Sequence, residues 1–119
     1  MSEKESIIKD RSFLFAKRII KLYQYVTDSK KEFISSKQLL RSGTAVGALV
    51  REFQNAESRL DFIHKLGIAQ KECDESLYWL ELLFESGYLK EKEFISIQTE
   101  VSDLLKMIRS AIITTKAKK

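Results

Sequence analysis

Apolar residues recur along this chain at the three- and four-residue intervals that mark one face of a helix. The first stripe, Phe15, Ile19, Leu22 and Val26, predicts a helix over residues 9–29, ending before the Lys30-Lys31 pair. The second, Leu39, Gly43, Val46, Val50 and Phe53, predicts one over 36–55. Ser35 or Ser36 is placed to cap its free N–H groups. The third, Phe62, Leu66, Ala69, Cys73, Leu77, Leu80 and Phe84, predicts 59–86. Ser58-x-x-Asp61 resembles a capping box at its start, and Gly87 suits the left-handed turn at its end. The fourth, Phe94, Ile97, Val101, Leu104, Ile108 and Ile112, predicts 91–115, followed by a short basic tail. Four amphipathic segments with short joins pack best as one all-α domain over 1–119, an antiparallel up-down-up-down four-helix bundle. The join at 55–58 is too short for anything but an antiparallel pair.

Two of these helices carry a second patterned face. On the second, Arg41, Ala45, Ala48 and Glu52 form a line in which two small residues sit between opposite charges, so another helix can approach closely there. Gly43 and Gly47 stand one turn apart. A glycine inside a helix costs about 1 kcal/mol relative to alanine, and close packing of a neighbouring backbone would explain tolerating two. The alternative is a loop at 42–44. On the third helix, Asp61, Lys65, Ile68, Glu72, Glu75 and Trp79 follow helical spacing about a third of a turn from the core. Carboxylates mixed with Ile68 and Trp79 point to a neighbour, either the helix of Arg41 or another subunit. Arg41 is expected to pair with Glu72 or Glu75.

Composition narrows the picture further. The chain has 119 residues, 44% hydrophobic and 32% charged, with no proline. That mixture is globular rather than disordered, and the absence of proline favours long unbroken helices. One cysteine, Cys73, cannot form an internal disulfide, and one histidine, His64, cannot anchor a zinc site. A reducing cytoplasm is the expected location. The charged start, Ser2-Glu3-Lys4-Glu5, has no signal-peptide pattern. The longest apolar run, 45–50, falls far short of the roughly 20 residues of a membrane helix.

Catalytic chemistry finds little foothold. A carboxylate-bridged metal pair needs Glu-x-x-His motifs, and the single His64 follows none. Cys73 and His64 lie half a turn out of phase on one helix, and Cys73 falls in the core stripe. There is no phosphate-cradling glycine loop after a strand. The expectation is a protein that is not an enzyme and needs no metal or cofactor. Tyr78 and Trp79 could form a base-stacking platform, although at this spacing a core or subunit interface is the simpler role for Trp79.

Basic residues remain. The net charge of +4 is mild, but it is unevenly spread. Residues 106–119 hold five bases and no acid, whereas 58–86 hold six acids against three bases. Lys17, Arg18 and Lys21 on the first helix, with Arg109, Lys116, Lys118 and Lys119, are the candidate phosphate contacts. A solvated helix face and a fraying terminus would explain the same residues.

Several blocks together resemble a known family. They are Phe15-Ala16 with Ile19, Ile20 and Leu22; the run from Ser36 to Ala48, which contains Arg41-Ser42-Gly43-Thr44-Ala45-Val46-Gly47-Ala48; Asp61-Phe62-Ile63-His64-Lys65-Leu66; Lys71-Glu72 with Glu75; and Tyr78-Trp79-Leu80-Glu81-Leu82-Leu83. They are similar to the small four-helix bundle proteins encoded within intervening sequences of bacterial 23S ribosomal RNA genes. The resemblance implies a bundle that assembles as a homo-oligomeric ring, with a homopentamer expected. The family is similar in fold to the accessory protein of diversity-generating retroelements, a basic pentamer that binds nucleic acid and a reverse transcriptase. The resemblance therefore implies an RNA- or DNA-binding accessory role, and as alternative a ring that serves as scaffold for a partner protein. Two positions depart from the family pattern: Leu49 stands where asparagine is common and Ala45 where serine is common.

Overall fold

In a computed structural model that describes residues 2–118, the chain forms four α-helices: α1 (Glu3–Lys30), α2 (Ser35–Glu52), α3 (Arg59–Glu85) and α4 (Glu91–Ala117). A single 3-10 turn, Phe53–Asn55, closes α2. No strand occurs among the described residues. Each helix packs on its chain neighbours, and α1 also meets α4, so the four close into an antiparallel bundle with extents of 50 × 21 × 19 Å. Helices α1 and α3 stand at diagonal corners.

The helix ends differ from the sequence expectation for identifiable reasons. Helix α1 begins six residues earlier than the apolar stripe indicates. Ser2 and Glu5 form a reciprocal capping box, the Ser2 hydroxyl accepting from the Glu5 N–H at 3.1 Å and the Glu5 carboxylate accepting from the Ser2 N–H at 3.0 Å. Ile8, one heptad before Phe15, then reaches the core. At the start of α2 neither Ser35 nor Ser36 caps through its hydroxyl. The Glu32 carboxylate does so instead, accepting the N–H groups of Ile34, Ser35 and Ser36 at 3.3, 3.0 and 2.8 Å. Partial burial works against its charge, but these donors together hold the Glu32 carboxyl below the ordinary carboxylate range. Ser58 caps α3 by accepting from the Asp61 N–H at 3.0 Å. The short Asp61 carboxylate reaches the N–H of Glu57 rather than that of the cap residue.

All of the first two stripes is buried, as are Leu66, Ala69, Cys73 and Leu80 of the third and Phe94, Ile97, Val101, Leu104 and Ile108 of the fourth. Phe62, Leu77, Phe84 and Ile112 are partly buried against the same cluster. Gly87 takes φ +87 and turns α3 into α4, with the Tyr88 N–H reaching back to the Leu83 carbonyl. Phe84 and Phe94 stack beside that turn, centroids 4.3 Å apart. The glycine pair on α2 is helical, so no loop interrupts 42–44. A Cβ on Gly43 would lie 2.9 Å from Ile19 Cγ1, and one on Gly47 3.3 Å from the Ser12 carbonyl oxygen. Helix α1 is the neighbour that comes close.

Candidate nucleic-acid interface

The polar faces resolve into a seam between α2 and α3 and a groove between α1 and α4. At the seam, Arg41 extends from α2 to α3. Its guanidinium pairs with Glu72 at 3.1 Å and also contacts Glu75. The Trp79 indole N–H donates to the same Glu75 carboxylate at 3.3 Å, and the Trp79 ring meets Tyr78 edge-on. Trp79 is half-buried against the core of its own chain. Arg41 remains 51% exposed, which weakens the pair by solvent screening. Asp61 and Lys65 pair along α3 at 3.4 Å. Glu52, expected on the Arg41 line, has no ion pair among the described residues and lies at the edge of a groove between α1 and α2. Ala48 is exposed in that groove and Ala45 is half-buried. Beneath the seam, the buried Ser42 and Ser76 hydroxyls lie 3.0 Å apart.

The candidate phosphate contacts do not gather into one patch. Successive residues on a helix point about 100° apart, so Lys17 and Arg18 face different neighbours. Lys17 lies over the Phe13 ring, toward α2. Arg18 turns toward α4, where it binds Glu100 at 2.9 Å, Ser96 at 2.8 Å and Glu93 at 3.4 Å. Its charge is largely spent within the chain. Arg109 sits on the α3 side of α4, 3.8 Å from Asp74. Lys116 and Lys118 lie at the end of α4, where the Lys118 carbonyl accepts from Arg59. Lys119 falls outside the described residues.

Arg18 and Lys21 do meet other groups. They line a groove of about 450 Å³ between α1 and the start of α4, with Leu22 and Leu89 as buried floor and Tyr25, Lys90 and Glu93 around it. Lys21 and Lys90 are exposed, and neither has an ion-pair partner among the described residues. Lys90 is separated from Lys21 by most of the chain, so only the folded bundle brings it there. Tyr25 is 39% exposed at the same place. The arrangement presents two free ammonium groups beside an aromatic ring on an apolar floor, a combination that suits phosphate and a planar base.

Elsewhere the groups with reactive chemistry are apart. Cys73 is buried, and burial, aided by the charges of Asp74 and Glu72, pushes its thiol up to about 12. His64 is exposed. Among the described residues no three His, Cys, Asp or Glu side chains gather as metal ligands, and no helix is long and apolar enough to cross a membrane.

The sequence pattern described as 23S rRNA-intervening sequence protein matches residues 4–110. A crystal structure of a protein of unknown function from the S23 ribosomal protein family of Bacteroides thetaiotaomicron is 46% identical. It superposes with a TM-score of 0.90, covering 92% of this chain and 97% of that one. No curated protein matches the chain.

Proposed function

Given that this chain belongs to the 23S rRNA-intervening sequence protein family, we propose that it is a non-catalytic, homo-oligomeric bundle that binds nucleic acid as an accessory protein. The observation that carries this reading is the α1–α4 groove, where Lys21 and Lys90 stand beside Tyr25 with no ion-pair partner among the described residues. Unpaired cations release counterions when they meet phosphates, and that release drives sequence-independent binding. Arg18 shapes the groove wall, being already held by Glu93, Glu100 and Ser96. The basic end of α4, with Lys116 and Lys118, supplies a second, separate contact point. The family's description makes RNA the first nucleic acid to test. The inert Cys73 and the isolated His64 supply no nucleophile and base pair, which favours action by binding over catalysis.

The test is to replace Lys21 and Lys90 together by glutamate and measure binding of a fluorescent RNA hairpin and a DNA duplex at low salt. The reading predicts at least a tenfold loss of affinity with the fold intact by circular dichroism. Unchanged affinity would remove the groove from the interface. Absence of binding by the unaltered protein would turn the reading to its alternative, a scaffold for a partner protein.

A further inference from the structure

Helix α1 carries more apolar surface than the bundle uses. Its core line is buried, yet Phe13, Leu14 and Ile20 on the outer side are 53%, 54% and 42% exposed. A helix that is apolar on both sides asks for a second neighbour. Beside Phe13 and Ile20, α2 contributes small residues, so that Phe13, Ala16, Ile20, Thr44, Gly47 and Ala48 line a groove of about 430 Å³. Its rim carries three bases against two acids, with two of the bases beside the aromatic ring. Lys9, Lys17 and Arg51 have no ion-pair partner among the described residues, and the charges of Lys17 and Arg51 lie 6.0 and 5.8 Å from the Phe13 ring centroid. Asp10 and Glu52 are the acids beside it.

The outer face of α3 has the opposite character. Tyr78 and Leu82, one turn apart, are exposed, and they are flanked by Glu81 and Glu85, both exposed and without ion-pair partners among the described residues. The whole helices follow the same division: α1 has seven basic residues and four acidic, α3 three basic and six acidic. Because α1 and α3 occupy diagonal corners, the two faces point away from each other and cannot satisfy one another within one chain.

We infer that the α1–α2 groove receives the acidic, tyrosine-bearing face of α3 from a second copy of this chain. Leu82 and Tyr78 of one copy cover Phe13 and Ile20 of the next, while Glu81 and Glu85 meet the cations at the rim. The contact is head-to-tail, since it joins two different surfaces, and each copy is left with one of each surface to pass on. Repetition of that contact generates a closed ring when the rotation between copies divides the circle. This inference rests on the homo-oligomeric part of the proposed function and adds which faces meet.

The test is charge reversal with rescue, read as mass by light scattering and sedimentation, with circular dichroism to verify folding. Glu81→Lys with Glu85→Lys, and separately Lys17→Glu with Arg51→Glu, should each shift the oligomer toward monomer, weakening assembly at least tenfold. All four changes in one chain restore opposite charges across the contact and should restore the oligomer. An oligomer unaffected by either pair, or folded quadruple variants that remain monomeric, would overturn the assignment of faces while leaving the oligomer itself standing. A wild-type chain that is monomeric at every concentration would overturn both.

Discussion

Ser42 on α2 and Ser76 on α3 place their hydroxyl oxygens 3.0 Å apart with no solvent exposure on either residue. Each also lies near a carbonyl of its own helix, Ser42 at 3.3 Å from Leu39 and Ser76 at 2.9 Å from Glu72. Each hydroxyl has one proton, so the pair donates along the chain of acceptors rather than to all of them. Either serine alone can fall back on its own helix. We therefore expect Ser42→Ala or Ser76→Ala to cost about 1 kcal/mol, and the double variant less than the sum. Additive losses in urea denaturation would show that the two hydroxyls act independently.

The glycines separate sharply. Gly43→Ala drives a Cβ into the buried Ile19 side chain, and we expect a loss of about 1–3 kcal/mol from overpacking. Gly67 is also helical but has nothing within 4 Å of an added Cβ. Gly67→Ala should stabilise the protein by about 0.5–1 kcal/mol through helix propensity. Thermal melts of the two variants should therefore move in opposite directions, and a shared direction would contradict the packing described for α1 and α2.

Glu32 gives α2 a pH-dependent cap. Partial burial opposes its charge, but the N–H groups it accepts hold its carboxyl below the ordinary carboxylate range. A depressed carboxyl stabilises the fold above its unfolded value and loses that contribution as pH falls through the folded value. Glu32→Ala should cost about 1 kcal/mol at neutral pH, the usual loss of a cap. The difference from wild type should shrink as pH drops below the ordinary carboxylate range. A gap that persists unchanged at low pH would mean the residue acts by packing.

Cys73 should be silent in the native protein. Its buried thiol is pushed up to about 12, and the thiolate is the reactive form. An aromatic disulfide reagent at mildly alkaline pH should label it only as fast as the protein opens, with full labelling in denaturant. Rapid labelling of folded protein would contradict the burial.

Arg41→Ala should cost about 1 kcal/mol or less although two carboxylates face it, because half of the side chain is in water. A loss of several kcal/mol in the isolated chain would show that water is excluded from the seam.

The bundle was legible because core positions repeat at helical spacing, and every stripe residue is buried or packs partly buried against the core. What escaped the pattern has physical causes. Ser12, Ser36, Ser42 and Ser76 read as surface by polarity, yet each can satisfy its hydroxyl on a carbonyl three or four residues back and so enter the core. The Ser2-x-x-Glu5 capping box announced the true start of α1, but it precedes the apolar stripe. Glu32 caps from outside α2, where a serine at the boundary looked the simpler choice. Among the cations, adjacency in sequence suggested a patch of Lys17, Arg18 and Lys21, whereas helical rotation sends Lys17 toward α2 and Arg18 into an ion-pair network. Lys90, which shares the groove with Lys21, had no local signal because only the α1–α4 packing brings it there.

The most direct test of the nucleic-acid reading is the salt dependence of RNA-hairpin binding, measured from low to near-physiological ionic strength for wild type and for Lys21→Ala with Lys90→Ala. The account predicts affinity that falls steeply as salt rises, and a log–log slope shallower by about 0.7–0.9 for each lysine removed from each bound chain. Binding with no salt dependence, or a slope unchanged by the two substitutions, would contradict it.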